Sequence, residues 1–269
     1  MARPAAIRPL GRSRHVRICV HSDPGAGKSR FAGTSEGKVL LLRPPFEYVD
    51  SIHAAGANTA EEWIINDWDE MNEALDYLRH DGAEWDWVWL DSISLWQDAG
   101  LDDIWETVIA EKPARARYGL DRQEYNINMT RLARWVRHIV GPDLFHFGVT
   151  AHSEPLASPD KDEDGDPIVK LMPWVQGKQM ANKICGYMNL VTFLEVQRDD
   201  DDKLVRVLHT TSTDVWYGKN QFDKTGDDWA IQKPSMPELM SKIEAARARK
   251  QRVAKPTKRR RTGTRRNGR

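Results

Sequence analysis

The chain has 269 residues, with 40 Lys and Arg against 40 Asp and Glu, so its formal net charge is zero. That zero is a cancellation, because residues 245–269 hold 12 basic residues, residues 1–17 hold five arginines, and neither segment holds an acidic residue. The 23 basic and 40 acidic residues between them give the body a charge of −17. We therefore divide the chain into a basic N-terminal arm (1–15), one domain (16–244) and a basic tail (245–269) predicted to be disordered.

Two functional classes are disfavoured at once. No apolar run approaches the roughly 20 residues that a membrane-spanning helix needs, and no apolar segment follows the basic N-terminus as it does in a secretory signal. Cys19 and Cys185 lie in apolar contexts typical of buried thiols in a reducing compartment. We expect a protein of the cytoplasm with no membrane partner.

The first elements alternate between strand and helix patterns. A β-branched run at Val16–His21 predicts a strand, and a helix is expected over Ser29–Ser35. Lys38–Leu42 predicts a second buried strand and Trp63–Ile65 a short third one. Apolar residues at helical spacing predict a helix over Asp69–His80.

The alternation continues through the middle of the chain. Trp85–Leu90 predicts a strand whose three tryptophans point to one face, and helices follow over Ile93–Ile109 and Tyr125–Val140. Leu144–Ala151 predicts another strand, ending at His152. This order predicts an α/β fold with a mostly parallel central sheet flanked by helices, whose functional edge lies at the strand C-termini.

The last third changes character. Ser153–Pro173 is polar and predicts a loop or a hairpin. The further predicted elements are a helix over Val175–Gly186, a C-terminal β-hairpin of Leu190–Gln197 and Leu204–Thr211, a short segment Val215–Gly218 and a final helix Met236–Lys250.

The segment Ser22-Asp-Pro-Gly-Ala-Gly-Lys-Ser29 lies between a predicted strand and a predicted helix, as a phosphate-binding loop (P-loop) does. We expect its backbone amides and the helix N-terminus to bind a β-phosphate, Lys28 to reach the β- and γ-phosphates, and the Ser29 hydroxyl to bind Mg²⁺. Ser22 replaces the first glycine of the usual pattern, at a position that shapes the strand exit. The predicted nucleotide-binding residues are Ser22, Asp23, Pro24, Gly25, Ala26, Gly27, Lys28, Ser29 and Arg30, with ATP and Mg²⁺ as cofactors.

A P-loop requires an acidic residue at the end of a neighbouring buried strand to hold the metal ion. Asp91 follows such a strand, so we predict Ser29 and Asp91 as the metal-binding pair. The next residue is Ser92, whereas many hydrolases carry a catalytic Glu directly after this Asp. The general base must therefore come from elsewhere.

Three further features are the Asp-Ser pair, His152 after the next strand, and Tyr217-Gly-Lys-Asn220 before the last helix. With them the chain resembles the RecA-like ATPases encoded by bacteriophages, described as phage AAA ATPases or single-strand annealing and recombination ATPases. The resemblance runs from about Val16 to Ala245. It implies a RecA-like P-loop NTPase fold, ATP hydrolysis, and action on single-stranded DNA in recombination or replication.

The same resemblance implies roles for two residues. His152 falls where such proteins place a γ-phosphate sensor that leads into a DNA-binding loop. Lys219 falls where they place a basic finger that reaches the nucleotide of a neighbouring subunit, which implies a homo-oligomer with nucleotide at the subunit interface. Gln221 stands where a second basic residue is usual, so the finger is a single lysine.

The general base is the gap in the resemblance. Relatives carry a Glu at the end of the strand after the P-loop helix, whereas this chain has Arg43-Pro44-Pro45 there. Glu47 is the first carboxylate to follow and is our predicted base, with Asp50 as the alternative. A second interpretation stays open: a non-catalytic adaptor in which bound ATP controls assembly or partner recruitment.

The basic tail is the predicted nucleic-acid contact. A flexible polycation binds phosphates without reading bases, and its contribution falls steeply with salt. We expect single-stranded DNA on residues 245–269, with phage or host recombination and replication proteins as further partners. The sequence leaves open whether the protein anneals strands, loads another protein or unwinds duplex.

Overall fold

The computed structural model describes residues 14–56, 60–161, 163–177, 179–223 and 225–253. Seven α-helices lie in these ranges: α1 (Lys28–Ala32), α2 (Asp50–His53), α3 (Trp68–His80), α4 (Ile93–Glu111), α5 (Arg122–Val140), α6 (Met180–Tyr187) and α7 (Met236–Val253). The strands are β1 (Arg17–Ser22), β2 (Val39–Arg43), β3 (Ala60–Ile64), β4 (Trp87–Leu90), β5 (His146–Lys161), β6 (Pro167–Pro173), β7 (Leu190–Arg198), β8 (Leu204–His209), β9 (Lys219–Asn220) and β10 (Ile231–Gln232).

The helix starts follow from local chemistry. Asp67 caps α3 by accepting a hydrogen bond from the amide of Glu70, and Ser92 accepts from the amide of Leu95 at the start of α4. Asp121 and Glu124 form a reciprocal capping box at the start of α5. Each cap satisfies amides that the first helical turn leaves without partners.

One sheet organises the described chain. Six parallel strands lie in the order β3-β2-β4-β5-β1-β7, and β8 and β10 continue it in antiparallel fashion beyond β7. The α/β fold with a mostly parallel central sheet flanked by helices is therefore confirmed. Two hairpins extend it, because β6 pairs with the far half of β5 and β8 pairs with β7.

The two faces of the sheet have separate apolar cores. On β2, Leu40 and Leu42 join the core under α3, α4, α5 and α6, whereas Val39 and Leu41 join the core under α1 and α7. This alternation is the two-residue period of a strand covered on both faces. Gly148 on β5 is required here, since a Cβ atom would lie 2.3 Å from the Trp89 ring.

Several predicted boundaries are wrong. Strand β5 does not end at His152 but runs to Lys161. Its first half belongs to the parallel sheet, and its second half continues beyond that sheet and pairs with β6. The helix expected from Val175 begins at Met180. Trp85 precedes β4 and packs in the core opposite to that of Trp87 and Trp89, so the three tryptophans do not share a face.

The predicted tail begins too early, because α7 continues through Val253, nine residues beyond Glu244. Residues 254–269 and 1–13 lie outside the described residues. Cys19 and Cys185 are buried free thiols, as expected. Within the described ranges no helix is long and apolar enough to cross a membrane.

Candidate functional site

The carboxyl ends of four parallel strands bring the predicted site together. Ser22 at the end of β1 pairs in register with His152 on β5, and Leu90, directly before Asp91, pairs with Val149 on the same strand. Leu42 pairs with Leu90, so the loop after β2 leaves at the same edge. Parallel pairing therefore places the P-loop, Asp91, His152 and the Glu47 loop side by side.

The P-loop has a backbone that only glycine adopts readily. Gly25 and Gly27 have φ values of 78° and 104°, in the left-handed region. A Cβ atom on Gly27 would also lie 2.9 Å from Nε of Arg206. Both glycines are thus required by the conformation of the loop.

The amides of this loop are available to a ligand. Ala26 donates its amide to the Asp23 carbonyl at 3.3 Å, whereas the amides of Gly25, Gly27, Lys28 and Ser29 have no backbone acceptor in the described part of the chain. Converging amides without partners form an anion-binding concavity. The loop therefore fits a phosphate group.

Lys28 is buried at the base of the loop. Its Nζ donates to the carbonyl oxygens of Ser22 at 3.2 Å and Asp23 at 2.9 Å. Burial lowers its pKa, and the carboxylates of Asp91, Glu47 and Asp23 counteract that effect. The cation thus lies among three carboxylates in a largely dry environment, where its charge acts strongly.

Asp91 is 1% exposed. The hydroxyl of Thr150 on β5 donates to its Oδ1, and Oδ2 is buried without a hydrogen-bond partner among the described residues. Burial raises the pKa of Asp91, while Thr150, Ser29 and Lys28 each lower it. Burying a carboxylate oxygen without a hydrogen-bond partner destabilises the fold, unless a ligand supplies the missing interaction.

These observations test whether the residues beside the loop could bind the expected metal ion. Ser29 lowers the pKa of Asp91, so a hydroxyl and a carboxylate lie near each other beside the loop. Mg²⁺ takes oxygen ligands and keeps several waters, so few protein groups are needed to bind it. The orphaned Oδ2 and the Ser29 hydroxyl fit that requirement.

Glu47 lies at the same site, although no regular element carries it there. The guanidinium of Arg43 donates to the Glu47 carbonyl at 2.8 Å and to Oε2 of Glu62 at 2.7 Å, which folds the loop after β2 back over the sheet edge. The Ser92 hydroxyl approaches Oε2 of Glu47 at 3.5 Å, the long limit of a hydrogen bond. Burial and the charge of Asp91 raise the pKa of Glu47 to about 7.

His152 lies beside Lys28 and connects the site to the β5–β6 hairpin. Its amide donates to the Ser94 hydroxyl at 2.9 Å, and its carbonyl accepts from the Trp174 amide. Its ring stacks on that of Trp174, with centroids 6.2 Å apart. Burial, followed by the charge of Lys28, lowers the pKa of His152, which favours the neutral imidazole.

The remaining predicted residues lie elsewhere or face solvent. Arg30 is exposed on α1, and Asp50 is exposed at the first residue of α2. Lys219 donates to the carbonyls of Cys185, Gly186 and Met188 at 3.1, 3.4 and 2.7 Å, so within its own chain it caps the C-terminal end of α6. Reaching a neighbouring subunit requires Lys219 to give up these bonds.

Sequence reasoning missed Arg206. Its Nε donates to the Ala26 carbonyl at 2.7 Å, which ties β8 to the P-loop across 180 residues of sequence. The alternation of β8 predicts only that Arg206 and Leu208 share a face. The contact arises because β7 pairs with both β1 and β8, which the sequence does not reveal.

Comparisons with known proteins agree with this geometry. Residues 14–222 match the sequence model of a family described as AAA domain. No curated protein shows significant similarity to the chain.

Among solved structures, the RadB recombinase is 14% identical over 72% of this chain and 79% of that chain, with a TM-score of 0.41. FlaH, a flagellar accessory protein from Methanocaldococcus jannaschii, is 9% identical over 77% and 82%, also with a TM-score of 0.41. The Legionella pneumophila ATPase DotB is 10% identical over 89% and 52%, with a TM-score of 0.33. These three similarities are too weak to assign a function, but the family model spans well over half of the sequence and includes the P-loop, Glu47, Asp91 and His152. The chain therefore belongs to the AAA domain family.

Proposed function

We propose that the protein binds ATP with Mg²⁺ at the P-loop and hydrolyses it, with Glu47 as the general base. The position of Glu47 carries this proposal, because its carboxylate lies beside Ser92, Asp91 and Lys28 and has a pKa of about 7. A base with a pKa near the working pH is about half ionised and is basic enough to take a proton from water. Membership of the AAA domain family supports the nucleotide itself.

The other residues of the site bind the phosphates and the metal ion. The free amides of the P-loop bind the β-phosphate, and Lys28 moves its ammonium from the Ser22 and Asp23 carbonyls to the β- and γ-phosphates. Ser29 and Asp91 would hold the metal ion. When bound, Mg²⁺ would neutralise charge that develops on the phosphate oxygens.

His152 is the proposed sensor of the γ-phosphate. Its ring stacks on Trp174, which directly follows β6, so a movement of His152 changes the base of the β5–β6 hairpin. This contact would transmit the nucleotide state to the hairpin by shifting between two arrangements of a packed pair.

We further propose that the protein acts on single-stranded DNA in recombination or replication, as a homo-oligomer with nucleotide at the subunit interface. The charge distribution supports this, because the basic residues 245–269 would contact phosphates that the body, at −17, repels.

The test is phosphate release with and without single- and double-stranded DNA at several salt concentrations. Glu47→Gln should lower release at least about 100-fold while leaving ATP binding intact, and Asp50→Asn is the matched control. If Asp50→Asn removes turnover and Glu47→Gln does not, the base is misassigned.

The alternative is a nucleotide-gated adaptor that binds ATP without hydrolysing it. One observation favours it: the raised pKa leaves part of Glu47 protonated at neutral pH, and a protonated carboxyl cannot act as a base. Measurable ATP binding with no phosphate release under any DNA condition would establish the adaptor.

A further inference from the structure

The segment from residue 112 to residue 140 is strongly basic in an otherwise acidic body. It holds seven Lys and Arg against two acidic residues, Asp121 and Glu124, whereas the body as a whole carries −17. The segment comprises the short helical turn Pro113–Arg117 and helix α5. Positive charge is therefore concentrated on one part of the folded domain.

Both acidic residues of this segment are already engaged. Nη2 of Arg115 lies 3.2 Å from Oδ2 of Asp121 and 3.4 Å from Oε2 of Glu124. The other six cations make no ion pair with any carboxylate in the described part of the chain. Burial raises the pKa of Asp103 on α4, and Arg131 acts to lower it. Arg117, Arg122, Arg134 and Arg137 keep their positive charge without an ion-pair partner in the described ranges.

Three of these cations form a row on one helix. Arg131, Arg134 and Arg137 are exposed on α5, and positions three apart are neighbours on a helix surface. Arg122 is also exposed on α5, nine residues before Arg131 and about half a turn around the helix from it. At about 1.5 Å per residue the four arginines span about 22 Å along α5. Arg122 and Arg131 both border a shallow groove of about 550 Å³, lined by Arg122, Gln123, Asn126, Ile127, Thr130 and Arg131.

The far end of the row gains another arginine from a neighbouring helix. His138 follows Arg137, and its pKa is lowered by burial and then by Arg137, Arg134 and Arg79. Arg79 belongs to the last turn of α3. Three arginines from two helices thus act on one imidazole.

An exposed aromatic ring lies at the near end. Tyr118 is 79% exposed and sits next to Arg117, which is also exposed. The bonds of Arg115 to Asp121 and Glu124 hold this turn against the first turn of α5. Exposed aromatic rings beside unpaired cations are the combination that binds single strands, since bases stack on the rings and phosphates contact the cations.

We propose that this α5 arginine surface, made of Arg117, Tyr118, Arg122, Arg131, Arg134 and Arg137, binds single-stranded nucleic acid. The arginines contact backbone phosphates and Tyr118 stacks on a base. The choice of nucleic acid rests on the proposed function, but the site is separate from the tail and from the nucleotide. The folded domain then binds part of the strand itself, and residues 245–269 would add further contacts to its phosphates.

The test uses the full chain and a fluorescein-labelled oligothymidylate, with anisotropy read over a salt series. Arg122→Gln/Arg134→Gln/Arg137→Gln should weaken binding on the order of 10- to 100-fold at ~0.1 M salt, because each phosphate contact contributes about −0.7 to the salt slope. The slope itself should flatten by about 2. The matched control, Lys183→Gln/Arg198→Gln/Lys203→Gln, removes the same charge from other exposed positions and should change neither quantity.

Stacking is tested separately from charge. Tyr118→Ala should lower affinity at least about fivefold, since base stacking contributes about 1 kcal/mol or more, while Tyr118→Phe keeps a ring and should retain binding. Tyr48→Ala, at a tyrosine that is 82% exposed elsewhere, is the control and should bind like the unaltered protein.

Three results would overturn the proposal. One is an unchanged affinity and slope in the triple α5 variant. Another is equal weakening in the Lys183/Arg198/Lys203 control, which would show an effect of net charge alone. The third is binding of phosphatidylserine vesicles, but not of the oligonucleotide, through the same arginines. ATP binding measured on the same preparations separates these results from failure of the proposed function, since it depends on Lys28 and not on α5.

Discussion

Two lysines with lowered pKa values show the difference between the proposed ligand site and a structural contact. Burial lowers the pKa of both Lys28 and Lys219, and both ammonium groups donate to backbone carbonyls. Lys28, however, faces Asp91, Glu47 and Asp23, whereas Lys219 is bound to three carbonyls at the end of one helix. Lys28 therefore lies among carboxylates at a site where phosphates could replace its carbonyl partners, and Lys219 has a helix terminus to stabilise.

Two aspartates repeat the contrast. Burial raises the pKa of Asp91, and its Oδ2 has no partner among the described residues. Burial also acts on Asp228, but the amide of Thr210 and the ring of His209 bring its pKa below the ordinary value. His209 additionally contacts Glu195 at 2.9 Å. The hydrogen bonds of Asp228 are completed within the protein, whereas Oδ2 of Asp91 at the parallel edge is left for the proposed ligand.

The largest expected effect is on turnover. Glu47→Gln should lower the rate of phosphate release about 10²- to 10⁴-fold, the usual contribution of a general base, because the amide cannot accept a proton from water. ATP affinity should stay within a few fold of the unaltered protein, measured by titration with a fluorescent ATP analogue. Unchanged release would remove Glu47 from the chemistry and break the link between incomplete polar networks and function.

Lys28→Ala should weaken ATP binding roughly 10- to 150-fold, the equivalent of about 1.5–3 kcal/mol for a hydrogen bond to a charged group. The measurement is the same titration, with Lys219→Ala as the matched lysine control. Equal affinities in the two variants would contradict the assignment of Lys28 to the nucleotide.

Lys219→Ala should instead reduce stability by about 1–3 kcal/mol, because the carbonyls at the end of α6 lose their donor. The free energy of unfolding in urea measures this, and Lys28→Ala serves as the reciprocal control. The trans role implied by family resemblance makes the opposite prediction: wild-type stability with loss of DNA-stimulated turnover. Mixing Lys28→Ala and Lys219→Ala protomers then decides, since only a trans finger regains turnover in mixed assemblies.

These contrasts also show what the sequence could and could not predict. The P-loop and Asp91 follow from local patterns, because a strand, a turn and a helix start are defined by neighbouring residues. The approach of Glu47 depends on Arg43 bonding both to the Glu47 carbonyl and to Glu62 on the next strand, which no local pattern encodes. The same holds for the partners of Lys219 and for the continuation of β5, because α6 and β6 supply them from elsewhere in the chain.

A smaller effect is expected at Arg206. Arg206→Gln should weaken ATP binding roughly 2- to 12-fold, since one neutral-acceptor hydrogen bond to the P-loop contributes about 0.5–1.5 kcal/mol. Arg198→Gln, at the far end of the neighbouring strand β7, is the control in the same titration. A loss as large as that of Lys28→Ala would place Arg206 on the phosphates themselves rather than on the loop.

The smallest expected effect is a pH dependence of stability that distinguishes the two kinds of network. The pKa of Glu47 is about 7 in the folded protein and 4.5 as its ordinary value, so between these pH values the folded state binds more protons than the unfolded state. Stability contributed by the protonated carboxyl is therefore full below pH ~4.5 and is lost as the pH rises through ~7.

Glu47→Gln does not titrate, so its stability relative to the unaltered protein should increase from pH 5 to pH 8, by a modest amount because Glu47 is half-buried. Urea midpoints at the two pH values measure this, with Asp50→Asn as the control that should show no such trend. A difference between Glu47→Gln and the unaltered protein that is equal at both pH values would mean that neither burial nor the charge of Asp91 raises the pKa of Glu47, which would contradict its position beside Asp91.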